Sequence, residues 1–332
     1  MVASKESIET KKGQANNKSV SVHRAVVYGA CAPGSGEIYA GSRIRGSLTA
    51  ALFIFFLAWF TWTSIDIAAD ILNRFLAALN GTKGPPLRDL PIHQLIFALV
   101  GSYYIWLWAV ISSVDLAVEH RRKSNEPSEA SIFWGVAISW FCPGSGQVYT
   151  DSRRFGYLVF VACLVGILLT VPPYLRMFQT ISLLVKKGQL SASNPYELVD
   201  MMNQHLIRVN YSFGNLFQMM FKYVAVASTV TALKHRYLQA DTTWMKSSAA
   251  YGALLLGMGW LCPGSGQLLQ GRDSPGWLFF IAYFGSVLLT GLALGVHFIT
   301  TGGVDTVSWI SVLIQWGAMI EALFWMMRHE KS

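Results

Sequence analysis

The chain has 332 residues, of which 53% are hydrophobic and only 13% are charged, and its mean hydropathy is +0.39. Soluble domains carry about 25% charged residues. With so few charged groups, and with 12 Trp, 13 Tyr and 19 Phe, the chain cannot present a water-facing surface of this size. The composition therefore excludes a soluble enzyme, a disordered chain and a secreted disulfide scaffold. It predicts a polytopic membrane protein in contact with the lipid bilayer.

The net charge of +8 predicts topology rather than a nucleic-acid partner. An isoelectric point near 9.3 would suggest nucleic-acid binding in a soluble protein, but here the excess of Lys and Arg marks cytoplasmic loops. Four cysteines are too few for a disulfide framework. Residues 1–24 are polar and basic and hold no apolar segment typical of a signal peptide. We expect them to form a cytoplasmic tail that is solvated or touches anionic headgroups.

A proline–glycine block occurs three times. The copies read CAPGSGEIYAGSRIRG, FCPGSGQVYTDSRRFG and LCPGSGQLLQGRDSPG, and they start at Cys31, Phe141 and Leu261. A glycine follows the block proline after 13 residues in every copy. Chance Pro-Gly turns would not keep one spacing three times, so the sequence predicts three tandem repeats. We place them at residues 25–123, 124–240 and 241–332.

Two apolar runs of spanning length follow each block. About 20 residues of helix cross the roughly 30 Å of a bilayer's hydrocarbon core. The six predicted spans are Ser47–Ala69, Pro91–Val118, Gly156–Leu175, Tyr211–Leu233, Gly276–Thr300 and Thr306–Met327. The segments 70–90, 176–210 and 301–305 are predicted outer loops. The second of these loops is expected to contain an amphipathic helix that starts at Asn194-Pro195 and lies on the outer surface.

A shorter apolar run precedes each block and is too short to span the bilayer. Basic residues flank these runs, so both ends of each are expected on the cytoplasmic side. Two geometries remain open: a helix that dips into the membrane, turns at PGSG and returns, or an interfacial helix that never dips. The three runs are Ala25–Ala32, Ser131–Cys142 and Ser248–Cys262.

The distribution of basic residues predicts that both termini are cytoplasmic. With this topology, inner segments hold 18 of the 26 Lys and Arg, and outer loops hold seven. We therefore expect an all-α, multi-pass protein of a bacterial-type inner membrane. Its predicted architecture is six full transmembrane helices and three short re-entrant or interfacial helices in a pseudo-threefold internal repeat.

The PGSG block has a structural and a functional interpretation. Proline ends the preceding helix, the glycines allow positive φ and close contact, the serine caps the following turn, and glutamine satisfies freed backbone groups. Alternatively, the broken helix exposes N–H groups that bind an anion or a polar substrate. The candidate polar-site residues are Pro33, Gly34, Ser35, Gly36, Glu37, Pro143, Gly144, Ser145, Gly146, Gln147, Pro263, Gly264, Ser265, Gly266 and Gln267.

The block carries no signature of catalysis. It lacks the lysine of a phosphate-binding loop, and no histidine is placed by a motif to activate its serine. We therefore expect neither an enzyme nor a bound cofactor.

Few charged residues fall inside the predicted membrane segments. Such residues are functional candidates by default and usually face a partner or water. The intramembrane candidates are Asp115, Lys222 and Glu321, and Glu37 lies in the first block. The acids are predicted to pair with Arg43, Arg45, Arg153 or Arg154, or else to form a proton or cation pathway. Lys222 is expected to snorkel or to pair with an acid.

Cys142 and Cys262 directly precede the block proline, and Cys31 lies one position earlier. Three thiols that converge on a pseudo-threefold axis would suit Cu(I) or Zn²⁺. We expect instead that they are small buried apolar side chains, and we predict no metal site.

The block PGSGQ-x-Y-x6-G, followed by two spans, resembles the TM2-domain family and related bacterial families with a proline–glycine signature. The resemblance covers Pro33, Gly34, Gly36, Tyr39 and Gly46; Pro143, Gly144, Gly146, Gln147, Tyr149 and Gly156; and Pro263, Gly264, Gly266, Gln267 and Gly276. It implies a module of one short segment and two membrane helices rather than an activity. Glu37 and Leu269 depart from the pattern, which has Gln and Tyr at these positions.

Two functions remain open from the sequence. The first is a structural or interaction protein that serves as a subunit of a larger membrane complex. The alternative is a channel or transporter whose PGSG elements line a cytoplasmic-side vestibule.

Overall fold

The computed structural model describes residues 19–80, 91–129, 131–186, 195–239, 248–296 and 299–329. The described residues form helices and contain no strand, so the predicted all-α class is confirmed. In chain order the helices are α1 (Val22–Cys31), α2 (Ser35–Tyr39), α3 (Arg43–Leu79), α4 (Ile92–Lys123), α5 (Ile132–Phe141), α6 (Ser145–Tyr149), α7 (Arg153–Lys186), α8 (Pro195–Asn210), α9 (Phe213–Gln239), α10 (Ser248–Leu261), α11 (Ser265–Leu269), α12 (Asp273–Gly295) and α13 (Thr301–His329).

Six helices are long and apolar enough to cross a membrane, as predicted. Their most apolar stretches have a mean hydropathy of 1.3 to 2.3. The spanning stretches are Arg43–Asp70, Ile92–Lys123, Arg153–Thr180, Phe213–Lys234, Asp273–Gly295 and Thr306–Arg328. Together with the composition, they define a multi-pass membrane protein.

Three helices extend beyond their predicted spans, because a helix does not end where its apolar character ends. Helix α3 continues to Leu79, inside the predicted first outer loop. Helix α7 continues through Pro172 to Lys186, inside the predicted second loop. Helix α13 begins at Thr301, so the predicted third loop is its first turn. Loop residues 81–90 and 187–194, and residues 1–18 of the predicted tail, lie outside the described residues.

One order of elements occurs three times: a short helix, a one-turn helix and two long helices. The first unit is α1 to α4, the second is α5, α6, α7 and α9, and the third is α10 to α13. In each unit the short helix packs on the second long helix, and the one-turn helix packs on both the short helix and the first long helix. Helix α8, at the predicted amphipathic position, packs on α7, α9 and α13.

The three units pack in a row. Helix α4 of the first unit contacts α6 and α7 of the second, and α9 of the second contacts α11 and α12 of the third. Among the described helices, none of the first unit packs extensively on one of the third. The pseudo-threefold relationship stays a prediction.

The C-terminal ends of the short helices lie against the middles of long helices. Cys142 Sγ, just after α5, donates to the Leu107 carbonyl at 3.3 Å, and Leu107 is the sixteenth of 32 residues in α4. Cys262 Sγ, just after α10, donates to the Tyr223 carbonyl at 3.7 Å. Tyr223 is the eleventh of 22 residues in the spanning part of α9. The PGSG turns that follow the short helices therefore begin near the mid-length of the spans.

Candidate functional site

Each PGSG turn is closed by a contact between two glycines. Gly34, Gly144 and Gly264 have φ angles of 96°, 97° and 90°, in the left-handed region that favours glycine. The glycine 13 residues after the proline packs on this turn so closely that a Cβ atom on either partner would lie under 3.0 Å from the other's carbonyl oxygen. The fixed spacing is therefore a packing requirement. The pairs are Gly34–Gly46, Gly144–Gly156 and Gly264–Gly276.

The hydroxyl groups of the block serines donate hydrogen bonds to the helix that precedes the turn. Each hydroxyl donates to a carbonyl seven residues earlier, in the last turn of the short helix, and this carbonyl also accepts the backbone N–H four residues after it. The bonds are Ser35–Tyr28 at 2.7 Å, Ser145–Ile138 at 2.8 Å and Ser265–Met258 at 2.5 Å. The predicted cap of the following helix is wrong. The turn glycines occupy the N-cap positions of the one-turn helices, and those positions make no side-chain cap bond.

The block tyrosine fixes the start of the short helix. Tyr39 Oη accepts from the Ser21 amide at 3.3 Å, and Tyr149 Oη accepts from the Ser131 amide at 2.8 Å. Each bond joins the two ends of the short element. Leu269 makes no such bond because it has no hydroxyl, so the third unit holds its short helix by other contacts.

The fifth block residue reaches the second long helix of its own unit in a contact that we call the polar junction. The junction residues are Glu37 and Ser112, Gln147 and Ser228, and Gln267 and Glu321. The block member of each pair is at most 2% exposed. A polar group so deeply buried is stable only with a hydrogen-bond partner.

The junction of the second unit is neutral. Gln147 Nε2 donates to the Ala225 carbonyl and to Ser228 Oγ, both at 2.6 Å. The sequence predicted that glutamine would satisfy backbone groups freed by the helix break. The backbone acceptor instead lies in the long helix α9, so this side chain links the turn to the span.

The junction of the third unit adds an ion pair. Gln267 Nε2 donates to the Ala318 carbonyl at 2.6 Å and to Glu321 Oε2 at 3.0 Å. Arg272 Nη2 donates to Glu321 Oε1 at 2.5 Å, and the Arg272 guanidinium lies 5.1 Å from the centroid of the Trp325 ring. The arginine partner of Glu321 was not among those predicted.

In the first unit the carboxylate comes from the block. Ser112 Oγ donates to Glu37 Oε1, and Arg45 Nε lies 3.4 Å from the same oxygen. The Arg45 guanidinium lies 5.0 Å from the centroid of the Trp108 ring. This is one of the pairs that the sequence suggested. Units one and three thus each hold one carboxylate and one arginine, with the acid on opposite sides of the junction.

One oxygen in every polar junction has no hydrogen-bond partner among the described residues. The buried acceptors are Glu37 Oε2, Gln147 Oε1 and Gln267 Oε1. Their recurrence at one position of three units argues against an isolated packing fault. Each junction has unused capacity to accept a hydrogen bond, for example from a buried water.

Ion pairs also join neighbouring units. Arg153 Nη2, at the start of α7, donates to Asp115 Oδ2 at 2.7 Å and to Glu119 at 2.8 Å. Between the second and third units, Lys234 Nζ lies 2.6 Å from Asp273 Oδ1. The first pair was predicted and the second was missed, because the signs of the two charges are reversed there. Arg43 and Arg154 are exposed.

A buried arginine connects the start of the first unit to the second. Arg121 Nη1 lies 2.8 Å from Glu129 Oε1 and bonds the Val20 carbonyl. The other Glu129 oxygen accepts from the Val22 amide at 2.9 Å, which caps α1. A pocket of about 200 Å³ opens beside these residues.

The block cysteines lie at separate places. Cys142 and Cys262 are buried and each bonds a different long helix, whereas Cys31 is exposed. In the described part of the chain, no group of three or more His, Cys, Asp or Glu is placed to hold a metal ion. Burial raises the pKa of both the Cys142 and the Cys262 thiol.

We predict that Cys142 and Cys262 stay unreactive toward a membrane-permeant maleimide between pH 7 and 9. An ordinary thiol with a pKa near 8.5 ionises in this range and labels faster as the pH rises. A raised pKa keeps the thiol neutral, so labelling should be at least about tenfold slower than in detergent-denatured protein. Single-cysteine variants analysed by mass spectrometry would measure each rate, and a tenfold rise from pH 7 to 9 in folded protein would contradict the prediction.

Comparison with known families adds one match. The model of a family of unknown function, DUF6677, matches residues 253–331, which include most of the third unit. No curated protein and no solved structure matches the chain.

Proposed function

We propose that the chain is a structural or interaction protein, a subunit of a larger complex in a bacterial-type inner membrane. The observation that carries the proposal is the use of the PGSG blocks. Their glycines are in direct backbone contact, and their serines bond the preceding helix. The block residues of the second and third units are buried. Blocks packed in this way act as joints between helices.

The outer helices supply the surface for lipid and for other subunits. In the most apolar 18 residues of each span, only 11% of the residues in α3 and 17% of those in α12 are buried inside the chain, compared with 44% in α9. Large side chains such as Trp62 on α3 are exposed there. A wide apolar surface at both ends of the row of units suits contact with further membrane helices as well as with lipid.

The proposed orientation has both termini in the cytoplasm and the short helices dipping into the membrane. Support for the dip comes from the contacts of Cys142 and Cys262 with the middles of α4 and α9. An alkaline phosphatase fusion at Ser332 tests the orientation. We expect it to be inactive, and an active fusion would contradict a cytoplasmic C-terminus.

The resemblance to TM2-type modules supports the proposal through the order of elements in each unit. One short element, a PGSG turn and two long helices form the implied module, and this order occurs three times here. A row of such units suits a scaffold for partner subunits.

The second candidate is a channel or transporter in which the turns line a cytoplasmic-side vestibule. The three unpartnered junction oxygens favour it, because oxygens that accept from water or bind cations line many membrane pathways. In this case Glu37 and Asp115 would be the acidic groups of the pathway.

Two measurements on the full-length protein separate the candidates. In proteoliposomes, we expect proton, sodium and potassium fluxes equal to those of empty vesicles. In mild detergent, we expect the wild-type chain to migrate with partners at a mass above that of the 36.8 kDa chain and its micelle. A flux that Glu37→Gln and Asp115→Asn abolish would favour the channel, and a stable monomer without partners would contradict the subunit role.

A further inference from the structure

The second long helices carry a hydrogen-bond donor at one equivalent position, six residues before Ser112, Ser228 and Glu321 of the polar junctions. In the first unit, Trp106 Nε1 donates to the Ala30 carbonyl at 2.8 Å. In the third unit, Gln315 Nε2 donates to the Trp260 carbonyl at 2.7 Å. Both acceptors stand three residues before the block proline. The last carbonyls of a helix have no intrahelical donor, so these side chains cap the short helices.

Lys222 occupies this position in the second unit. Its Nζ lies 3.9 Å from the centroid of the ring of Trp140, the residue three before the block proline. A cation on an aromatic face is attracted to it, and the C-terminal end of α5 adds a favourable dipole. A neutral donor performs the same task in the other two units, so capping alone does not require a charge.

The charge of Lys222 is costly where it lies. It is the tenth of 22 residues in the spanning stretch Phe213–Lys234, close to the middle of the span. Intramembrane lysines are rare and normally pair with an acid or face water. Lys222 has no carboxylate partner among the described residues, and it is half-buried, so it reaches the surface of the chain.

The acids in the described membrane segments do not supply the missing partner. Glu37, Asp115 and Glu321 are already paired with arginines. Asp66 is exposed on α3, but it lies four residues before the end of its span at Asp70. A parallel second copy would therefore place Asp66 near a membrane surface, away from the depth of Lys222.

We propose that Lys222 is an assembly contact, which pairs in the membrane with a carboxylate on a transmembrane helix of a different subunit. This inference rests on the proposed function as a complex subunit and names the chemistry of one contact. The surface around Lys222 binds a helix that carries Asp or Glu near mid-span, because charge complementarity at this depth offsets the cost of both groups.

Lys222→Gln tests the proposal with a residue that the third unit already uses at this position. Gln keeps a neutral donor for α5 and removes the charge, so the thermal stability of the chain should be unchanged. The complex recovered per chain from native membranes should fall at least about fivefold. Lys222→Arg, which keeps the charge, should recover the complex at the wild-type level.

A photo-reactive residue at Met219, one turn from Lys222, identifies the helix seated there. We expect a crosslink to a different protein whose spanning helix holds an acid near mid-span. Replacing that acid by its amide should reproduce the loss, and exchanging the two charges should restore the complex.

The inference would be overturned if Lys222→Gln assembles fully. It would also be overturned if the crosslink forms only to a second copy of this chain or to a helix without an acid. Either result would leave the subunit role intact. A wild-type chain that has no partner at all would overturn both proposals.

Discussion

Replacing Gly144 by alanine should lower the free energy of unfolding by about 3 kcal/mol. The backbone there has a φ of 97°, which costs a residue with a side chain about 1–2 kcal/mol. The new Cβ would also lie under 3.0 Å from the Gly156 carbonyl oxygen, and overpacking of this kind costs roughly 1–3 kcal/mol. Unfolding in mixed micelles of increasing SDS content would measure the change.

Two matched glycines separate the contributions. Gly271 also has positive φ, at 79°, but a Cβ there would meet nothing within 4 Å, so Gly271→Ala should cost only about 1–2 kcal/mol. Gly285 lies in helix α12 with open space around it, and Gly285→Ala should be neutral or slightly stabilising. Equal effects for Gly144→Ala and Gly271→Ala would contradict the role assigned to the glycine pair.

The glycine pair marks how far the sequence alone could lead. The spacing of 13 residues is visible in the chain, and it predicted a repeated turn correctly placed between a short and a long helix. The reason for the spacing is that each glycine packs on the carbonyl oxygen of the other, which leaves no room for a Cβ atom on either residue. Such a contact depends on the path of residues between the glycines, which composition and periodicity do not describe.

The polar junctions escaped prediction for a different reason. Ser112, Ser228 and Glu321 are equivalent in the three units, yet they lie 79, 85 and 58 residues after their block prolines. The segments between the two long helices differ in length from unit to unit, so a fixed spacing in the sequence does not reveal which residues of the second long helices are equivalent. The acid lies in the block at Glu37 but in the long helix at Glu321, so no pair of residue types recurs across the three junctions. The sequence singled out the charged residues and included Arg45 and Arg153 among the candidate partners. It did not identify Arg272 or the partner across each junction.

Gln147→Glu replaces one side chain by another of nearly the same size. We nevertheless expect it to be among the most destabilising of such substitutions in this protein. Gln147 is 2% exposed and donates to the Ala225 carbonyl. A carboxylate cannot donate, and it would face that carbonyl oxygen. Phe155 stands where the first unit has Arg45, and Ser152 stands where the third unit has Arg272, so the charge would lack the arginines that pair with the acids of the other two junctions. A buried charge without its partner costs about 3–5 kcal/mol.

The same variant should depend on pH. Burial raises the pKa of the introduced carboxyl above its value in the unfolded chain. The folded form then binds a proton that the unfolded form releases, so stability falls as the pH rises through the interval between the two pKa values. We expect Gln147→Glu to be closer to wild type at pH 5 than at pH 8 in SDS unfolding. A pH-independent loss would contradict the prediction.

The reverse exchange in the first unit, Glu37→Gln, should change stability by less than about 1 kcal/mol, because the arginine that loses its partner is partly exposed to solvent and is not left as a buried charge. Glutamine keeps an oxygen for the Ser112 hydroxyl, as at the neutral junction of the second unit. The Arg45 side chain is 34% exposed and retains the Trp108 ring, so it is not left buried without a partner. If Glu37→Gln and Gln147→Glu cost the same, the electrostatic account of the junctions is wrong. If only Gln147→Glu is costly, the presence of a nearby arginine decides which unit tolerates a buried acid. Glu37 and Glu321 are then stabilised in the fold by Arg45 and Arg272.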